Sequence, residues 1–413
     1  MKISKYNYVV SCKGFCLIYN GLKSTCVIMS SDEYDDFTHF RFNATRSAEL
    51  LRLGFYVNNG YNELDEILYN VRKADATDRQ HFYRIYTTTA CNAHCPYCYE
   101  KDLPISTLSI DIAEAIVSVI LSSVSPGDKL GIEWFGGEPL LNSEIITYIS
   151  ERLIEYCESN NIVYWSRIIT NGYLLSDEII EKMVSAWYVK NIQVTLDGLK
   201  DTDERTKSFC ESNSYERIMA NIESVLIAGV GVTIRINYDN DNLEEVLQLI
   251  RFLSRAFGKY NKFKVYCKHI MSDDTDNSAT SSEETDIKVL NELIVNGLIK
   301  DILKTIPKRT NTCVAHMLNA FMVLPDGKIG KCSQAIAKGD LVGDIDSIME
   351  AKLVRWCSPQ LPPKCIMCEM LPLCQGGCLF ERFSNKPYCF VSRKVLDYKL
   401  LCYLKDWVDA SIT

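Results

Sequence analysis

The chain has 413 residues, 47% hydrophobic and 24% charged, with 45 Lys and Arg against 53 Asp and Glu for a net charge of −8. That size and balance exclude one small module and wholesale disorder, and the acidity leaves no basic face for nucleic-acid phosphates, so no nucleic-acid partner is expected. No run of 18 apolar residues occurs, so no membrane partner is expected. The first residues lack the apolar core of a signal peptide, which predicts a cytoplasmic protein.

Residues 1–80 open with apolar runs at 6–10, 16–19 and 24–29, broken by Gly14 and by Asn20-Gly21, a hairpin signal. Helical patterns follow at 31–40 and 47–53, ending near Gly54. This predicts a small α+β module. From 81 to 305 the pattern alternates, with strands expected at 82–88, 129–135, 163–170, 191–196, 231–238 and 263–270. Helices are expected at 110–124, 143–158, 177–187, 215–228, 242–257 and 285–304, the last after a polar loop at 272–284. Six strands each followed by a helix predict an α/β fold with right-handed crossovers and a parallel sheet. Six units fall short of eight, so the expected form is a partial (β/α)6 TIM-like barrel with its active face at the C-terminal strand ends. Residues 306–413 lose the alternation and become rich in cysteine, with a hairpin expected at 321–332 around Asp326-Gly327.

The chain has 18 cysteines. Disulfides are not expected in a reducing cytosol, which leaves cluster or metal ligation, redox chemistry or buried thiols. Cys91, Cys95 and Cys98 follow the first barrel strand at C-x3-C-x2-C spacing on one loop. Three thiolates from such a loop can hold three corners of a [4Fe–4S] cube and leave the fourth iron open. The competing reading is a zinc knuckle with His94 as fourth ligand, but zinc sites pair two C-x2-C units.

C-x3-C-x2-C at the end of strand one of a six-unit barrel resembles the radical S-adenosylmethionine (SAM) enzymes. The resemblance implies that the open iron chelates SAM and that a 5′-deoxyadenosyl radical is released. It continues strand by strand. Phe135-Gly136-Gly137-Glu138-Pro139 is similar to the family's glycine-rich motif, with Glu138 placed to accept from the methionine ammonium. Thr170-Asn171-Gly172 resembles the motif near the ribose, and Thr195-Leu196-Asp197-Gly198 stands where the family usually has Ser-Leu-Asp-Gly. Tyr97 falls where the family places an aromatic residue beside adenine. Asp203-Glu204-Arg205-Thr206-Lys207 departs from the family's His-Asp segment, so Arg205 or Lys207 is expected to meet the SAM carboxylate.

The C-terminal order Cys313, Gly327, Cys332, Cys365, Cys368, Cys374, Cys378, Cys389 resembles the SPASM extension of peptide-modifying radical SAM enzymes. It implies two auxiliary [4Fe–4S] clusters, three in all: Cys365, Cys368, Cys374 and Cys389 on one, and Cys313, Cys332 and Cys378 on the other. The remaining corner is either closed by Cys357 or left to a substrate thiolate, and Cys402 is an alternative to Cys389. A zinc ribbon is the plainer reading of 365–378. Cys12, Cys16, Cys26, Cys157, Cys210 and Cys267 are expected to be structural.

The resemblance divides the chain into a leader-peptide-recognition-like module (1–80), a radical SAM barrel (81–305) and a SPASM domain (306–413). It implies a peptide maturase forming a thioether or carbon–carbon crosslink, with a precursor peptide carrying a leader segment and a reducing donor such as flavodoxin or ferredoxin as partners. Anaerobic sulfatase-maturating enzymes are the alternative. They usually begin close to the cysteine triplet and carry Asp after the second SPASM cysteine, where this chain has Ser333. A non-catalytic zinc-ribbon binding protein is the alternative of another class.

Overall fold

The computed structural model describes all residues except 78, 210–212, 270–277, 308–312, 358–359, 384–388, 390 and 413, so Cys210 and most of the expected 272–284 loop's first half lie outside the described residues. The chain forms two compact units. One is Met1–Asp78 with Ile299–Thr312 and Pro359–Thr413, and the other is Arg79–Leu298 with Cys313–Ser358.

In the first unit, β1 (Asn7–Cys12), β2 (Phe15–Asn20) and β3 (Thr25–Ser30) form an antiparallel meander in the order β1-β2-β3. Lys13 and Gly14 turn the first hairpin at φ 48° and 81°, the left-handed pair that matches strand twist. Asn20 shapes the second loop through its side chain, accepting from the Lys23 N–H at 2.9 Å and donating to the Gly54 carbonyl at 2.8 Å. Gly21 is required there because a Cβ would lie 2.6 Å from the Tyr8 ring.

Alternation in β2 sends Cys16 and Ile18 to one face, packed with Phe37, Leu50, Phe55 and Tyr56 from the segment after β3. Leu17 and Tyr19 go to the other face, against Leu396, Leu400, Leu404 and Val408. Those four recur at i, i+4 along the helix Arg393–Ile412, the stripe a buried helix face needs. The sheet is therefore covered on both faces. Helices Ser31–Thr38 and Ala44–Arg52 agree with expectation, and Glu63–Thr77 is a third helix beyond it.

In the second unit, β4 (Gln80–Thr88), β5 (Lys129–Gly136), β6 (Val163–Thr170), β7 (Val189–Leu196), β8 (Gly231–Tyr238) and β9 (Phe263–His269) pair in parallel in chain order. On the far side of β4, β10 (Ala320–Val323) adds a further parallel strand, followed by antiparallel β11 (Lys328–Gly330) and β12 (Gly343–Asp344). The sheet order is β9-β8-β7-β6-β5-β4-β10-β11-β12, an open sheet of the partial-barrel kind. Gly327, at φ 84°, turns the β10–β11 hairpin as expected.

One expectation is corrected. The last barrel helix is Ser278–Val295 rather than 285–304, because Gly297 at φ 70° ends it with a left-handed cap. By compactness, the two units share residues 306–413 between them. Residues 313–358 extend the barrel sheet through β10, whereas the Leu396–Val408 stripe belongs to the N-terminal module's core.

Candidate active site

The loop after β4 is held at its root by glycine. Gly136 adopts φ 130°, and a Cβ there would sit 2.0 Å from the Thr88 carbonyl oxygen. A Cβ on Gly137 would lie 2.3 Å from the Ala90 oxygen. That closeness lets the Gly137 N–H reach Thr88 O at 3.0 Å and the Glu138 N–H reach Ala90 O at 2.9 Å, directly before Cys91. The glycine pair thus serves backbone-to-backbone approach between adjacent strand ends. Farther along, Ala93–His94 pairs antiparallel with Ser208–Phe209, fixing the other side of the loop.

Cys91 is exposed and Cys95 and Cys98 are half-buried. The Ala93 N–H points at Cys91 Sγ at 3.4 Å, and the Cys98 N–H donates to Cys95 O at 3.2 Å. Burial pushes all three thiols up, Cys95 to about 11, and each of Cys91 and Cys95 also feels the other loop thiols. Among the described residues no three His, Cys, Asp or Glu side chains converge on one metal ion. A cube takes each thiolate on a different iron and spaces its ligands more widely than a single ion does. Three thiols on one loop with N–H groups turned toward sulfur fit that demand, and they must lose their protons to bind iron.

Glu138 is wholly buried. Its carboxylate accepts from the Leu140 N–H at 3.1 Å, the Asn171 N–H at 2.8 Å and the Thr170 hydroxyl at 2.9 Å. Burial pushes its carboxyl up to about 7, against those hydrogen bonds. It ties the ends of β5 and β6 together and positions Asn171. The Asn171 side chain in turn donates to Asn92 Oδ1 at 2.7 Å and lies 3.9 Å from Cys91 Sγ. Tyr97 extends from the cysteine loop and donates to Asp197 Oδ2, and burial and that carboxylate hold its phenol well above its ordinary range.

At the end of β7, Thr195 is half-buried on the inner face and its carbonyl accepts from Lys207. Lys207 is buried and occupied, 2.8 Å from Asp203 and 3.3 Å from Asp197. Of the two expected carboxylate partners, only Arg205 is exposed, donating to Thr202 Oγ1 at 3.3 Å.

Sequence reasoning passed over the charges inside the barrel. Arg84, Glu133 and Arg167 stand in register on β4, β5 and β6, and both arginines ion-pair with the fully buried Glu133. The signal was a carboxylate in the otherwise apolar run of β5. Arg84 also donates to Ser333, whose hydroxyl contacts Met322 Sδ at 3.2 Å. Glu100 is buried near Arg84 and Tyr86, its carboxyl raised by burial to about 7. An acidic depression lined by Glu151, Glu155, Glu158 and Tyr188 lies beside the start of β7, at the other end of the strands.

In the first unit, Cys365, Cys368, Cys374 and Cys389 bear electrostatically on one another. Gln375, Gly376 and Gly377, all at positive φ, turn the chain between Cys374 and Cys378. Arg382 donates to Gln375 O at 2.8 Å and feels the thiols of Cys365, Cys374 and Cys378.

Residues 85–253 match the radical SAM superfamily. The GTP 3′,8-cyclase of Clostridium perfringens is 30% identical over 172 residues, covering 41% of this chain and 50% of that protein. The chain thus spans about half the length of such curated relatives. The radical SAM cyclopropyl synthase TigE of Paramaledivibacter caminithermalis is 22% identical over an alignment of 439 positions, covering 93% of this chain and 87% of that protein. Streptococcus suis SuiB shares the fold at TM-score 0.52 and 16% identity, covering 95% of this chain and 99% of its own. The structure of anSMEcpe with bound AdoMet and Kp18Cys peptide shares it at TM-score 0.60 and 15% identity, covering 80% and 99%. The triplet, the glycine pair and the strand-end motifs assemble on the C-terminal edge of a parallel sheet, and all of them lie within residues 85–253, the segment that matches the radical SAM superfamily.

Proposed function

We propose that the protein is a radical SAM peptide maturase that crosslinks a ribosomally made peptide through a thioether or carbon–carbon bond. The observation that carries the reading is the convergence of the three other strand-end motifs on the Cys91–Cys98 loop. The near full-length likeness to TigE, a cyclopropyl synthase, supports it, as does the fold shared with SuiB, a structure of which is bound to precursor peptide SuiA. When bound, the SAM cofactor and its cluster supply the hydrogen-abstracting radical.

The chain's own residues hold and orient. Cys91, Cys95 and Cys98 ligate the SAM-binding cluster, whose loop is pinned by Gly136 and Gly137. Glu138 positions Asn171 beside that loop, and Tyr97 and Thr195 flank the cofactor. Cys313, Cys332, Cys365, Cys368, Cys374, Cys378 and Cys389 would hold two auxiliary [4Fe–4S] clusters, which would supply an electron acceptor there, and a flavodoxin or ferredoxin would be the reducing partner. The leader segment of the precursor adds to an edge of the β1–β3 sheet, whose two faces are covered, so its edges are where backbone can pair.

The Ser333 position favours this reading over formylglycine formation. A hydroxyl engaged with Arg84 and Met322 stands where the sulfatase-maturating branch resembled here carries a carboxylate base.

Iron and acid-labile sulfide after anaerobic reconstitution test the reading. Three clusters predict about twelve iron per chain, and about eight in the Cys91/Cys95/Cys98→Ala variant. Cys91→Ala should abolish SAM cleavage. Normal cleavage by a folded Cys91→Ala protein, or about four iron falling to none in the triple variant, sinks the assignment.

A further inference from the structure

Within the barrel unit, one buried cation stands among cysteines. Lys331 is 1% exposed, donates to the carbonyls of Met317 and, at 2.6 Å, Ala320, and lies 4.8 Å from the centre of the Phe321 ring. Among the described residues no carboxylate pairs with it. A buried ammonium served only by carbonyls and a ring is costly unless negative charge stands close by. The acidic groups whose charge bears on Lys331 are the thiols of Cys357 and Cys313. Cys332 follows it directly in the chain.

Local structure explains how the segments that carry Cys313 and Cys357, 44 positions apart along the chain, come together. Cys357 closes the short helix Val354–Cys357, anchored by the wholly buried Trp356. That helix packs against the turn Val314–His316, which starts immediately after Cys313. Cys357 itself is half-buried, unlike the core thiol Cys157 at 0% exposure, so a sulfur at this position faces more than apolar packing. The other unit repeats the pattern independently. Arg382, partly buried and bonded to loop carbonyls, stands among Cys365, Cys374 and Cys378.

We propose that Cys357 is a ligand of the auxiliary cluster that also takes Cys313 and Cys332, with Lys331 as its buried counter-charge, so that no iron of that cluster is left open for a substrate thiolate. The inference rests on the auxiliary-cluster reading above. Each thiol loses its proton to solvent as iron binds, and the thiolates then supply the negative charge that Lys331 lacks.

The test uses the full chain carrying Cys91/Cys95/Cys98→Ala, so that only auxiliary clusters remain, after anaerobic reconstitution. Iron per chain and the electron paramagnetic resonance spectrum of the reduced protein are recorded with and without added 2-mercaptoethanol. For this parent, about eight iron and a spectrum indifferent to the added thiol are expected. Adding Cys357→Ala should either make the spectrum respond to the thiol or drop iron toward about four, and Cys357→Ser, which keeps an oxygen ligand, should move the spectrum without that loss. Circular dichroism confirms that each variant is folded. A parent spectrum that shifts with thiol, or a Cys357→Ala protein with the parent's iron and spectrum, overturns the assignment of Cys357. Cys313→Ala serves as the separating control. If it too leaves iron and spectrum unchanged, the auxiliary-cluster reading itself fails.

Discussion

Alanine at Gly137 should dismantle the root of the cysteine loop. Its Cβ would lie 2.3 Å from Ala90 O, 2.6 Å from Ala90 C and 2.7 Å from Thr89 O, all backbone atoms that cannot swing aside. Relief requires the β4 and β5 ends to part, which breaks the Gly137 N–H bond to Thr88 O and the Glu138 N–H bond to Ala90 O. Each bond contributes about 1 kcal/mol, and the overpacking adds about 1–3 kcal/mol. The expected loss is about 3–5 kcal/mol. Because the strain falls one residue before Cys91, reconstituted iron should fall with stability. The assay is urea unfolding by circular dichroism under anaerobic, reducing conditions, paired with iron determination. Gly343→Ala is the control in the same unit, since its Cβ would meet nothing closer than 3.6 Å. A Gly137→Ala protein whose midpoint and iron content equal those of Gly343→Ala would refute the reasoning.

Stability should also carry the titration of Glu138. Its folded carboxyl is raised from 4.5 to about 7, chiefly by burial. The folded state therefore holds this proton more tightly than the unfolded chain. That contribution is fully present below pH 4.5 and is lost as pH rises through about 7, a change on the order of 3 kcal/mol. Glu138→Gln should flatten the decline between those limits, and an unchanged slope in pH-dependent unfolding would remove Glu138 as its source. Lys207 is 3% exposed and pairs with Asp203 and Asp197. Lys207→Met leaves buried carboxylates unpaired and should cost about 3–5 kcal/mol in urea unfolding. Recovery of part of that loss in Lys207→Met/Asp203→Leu checks the cause.

The barrel was legible because its strands and helices alternate in chain order, each closed by local signals. Strands 163–170 and 231–238 have the bounds that periodicity indicates. The cysteine triplet and the glycine pair were legible because both need residue types with few substitutes: a thiolate for iron, and no Cβ where two backbones touch. The helix end at Gly297 was written in the sequence too, but the amphipathic pattern running past it obscured the stop.

Other features had no local signature. Chain order places 306–413 in one piece, but burial divides it. The Leu396–Val408 stripe is amphipathic in sequence without saying which sheet it covers, and only packing assigns it to Leu17 and Tyr19. Lys207 reads as an available cation until Asp203 and Asp197 enclose it, and Glu138 reads as a ligand-facing carboxylate until Thr170 and Asn171 surround it. The sequence by itself determined the chemistry: which donors exist, in what spacing, after which strands. The tertiary structure alone decided which of those donors are occupied. Charge pairing, desolvation and the neighbourhood of Lys331 depend on residues far apart in the chain, and distance through space is not encoded in any local pattern.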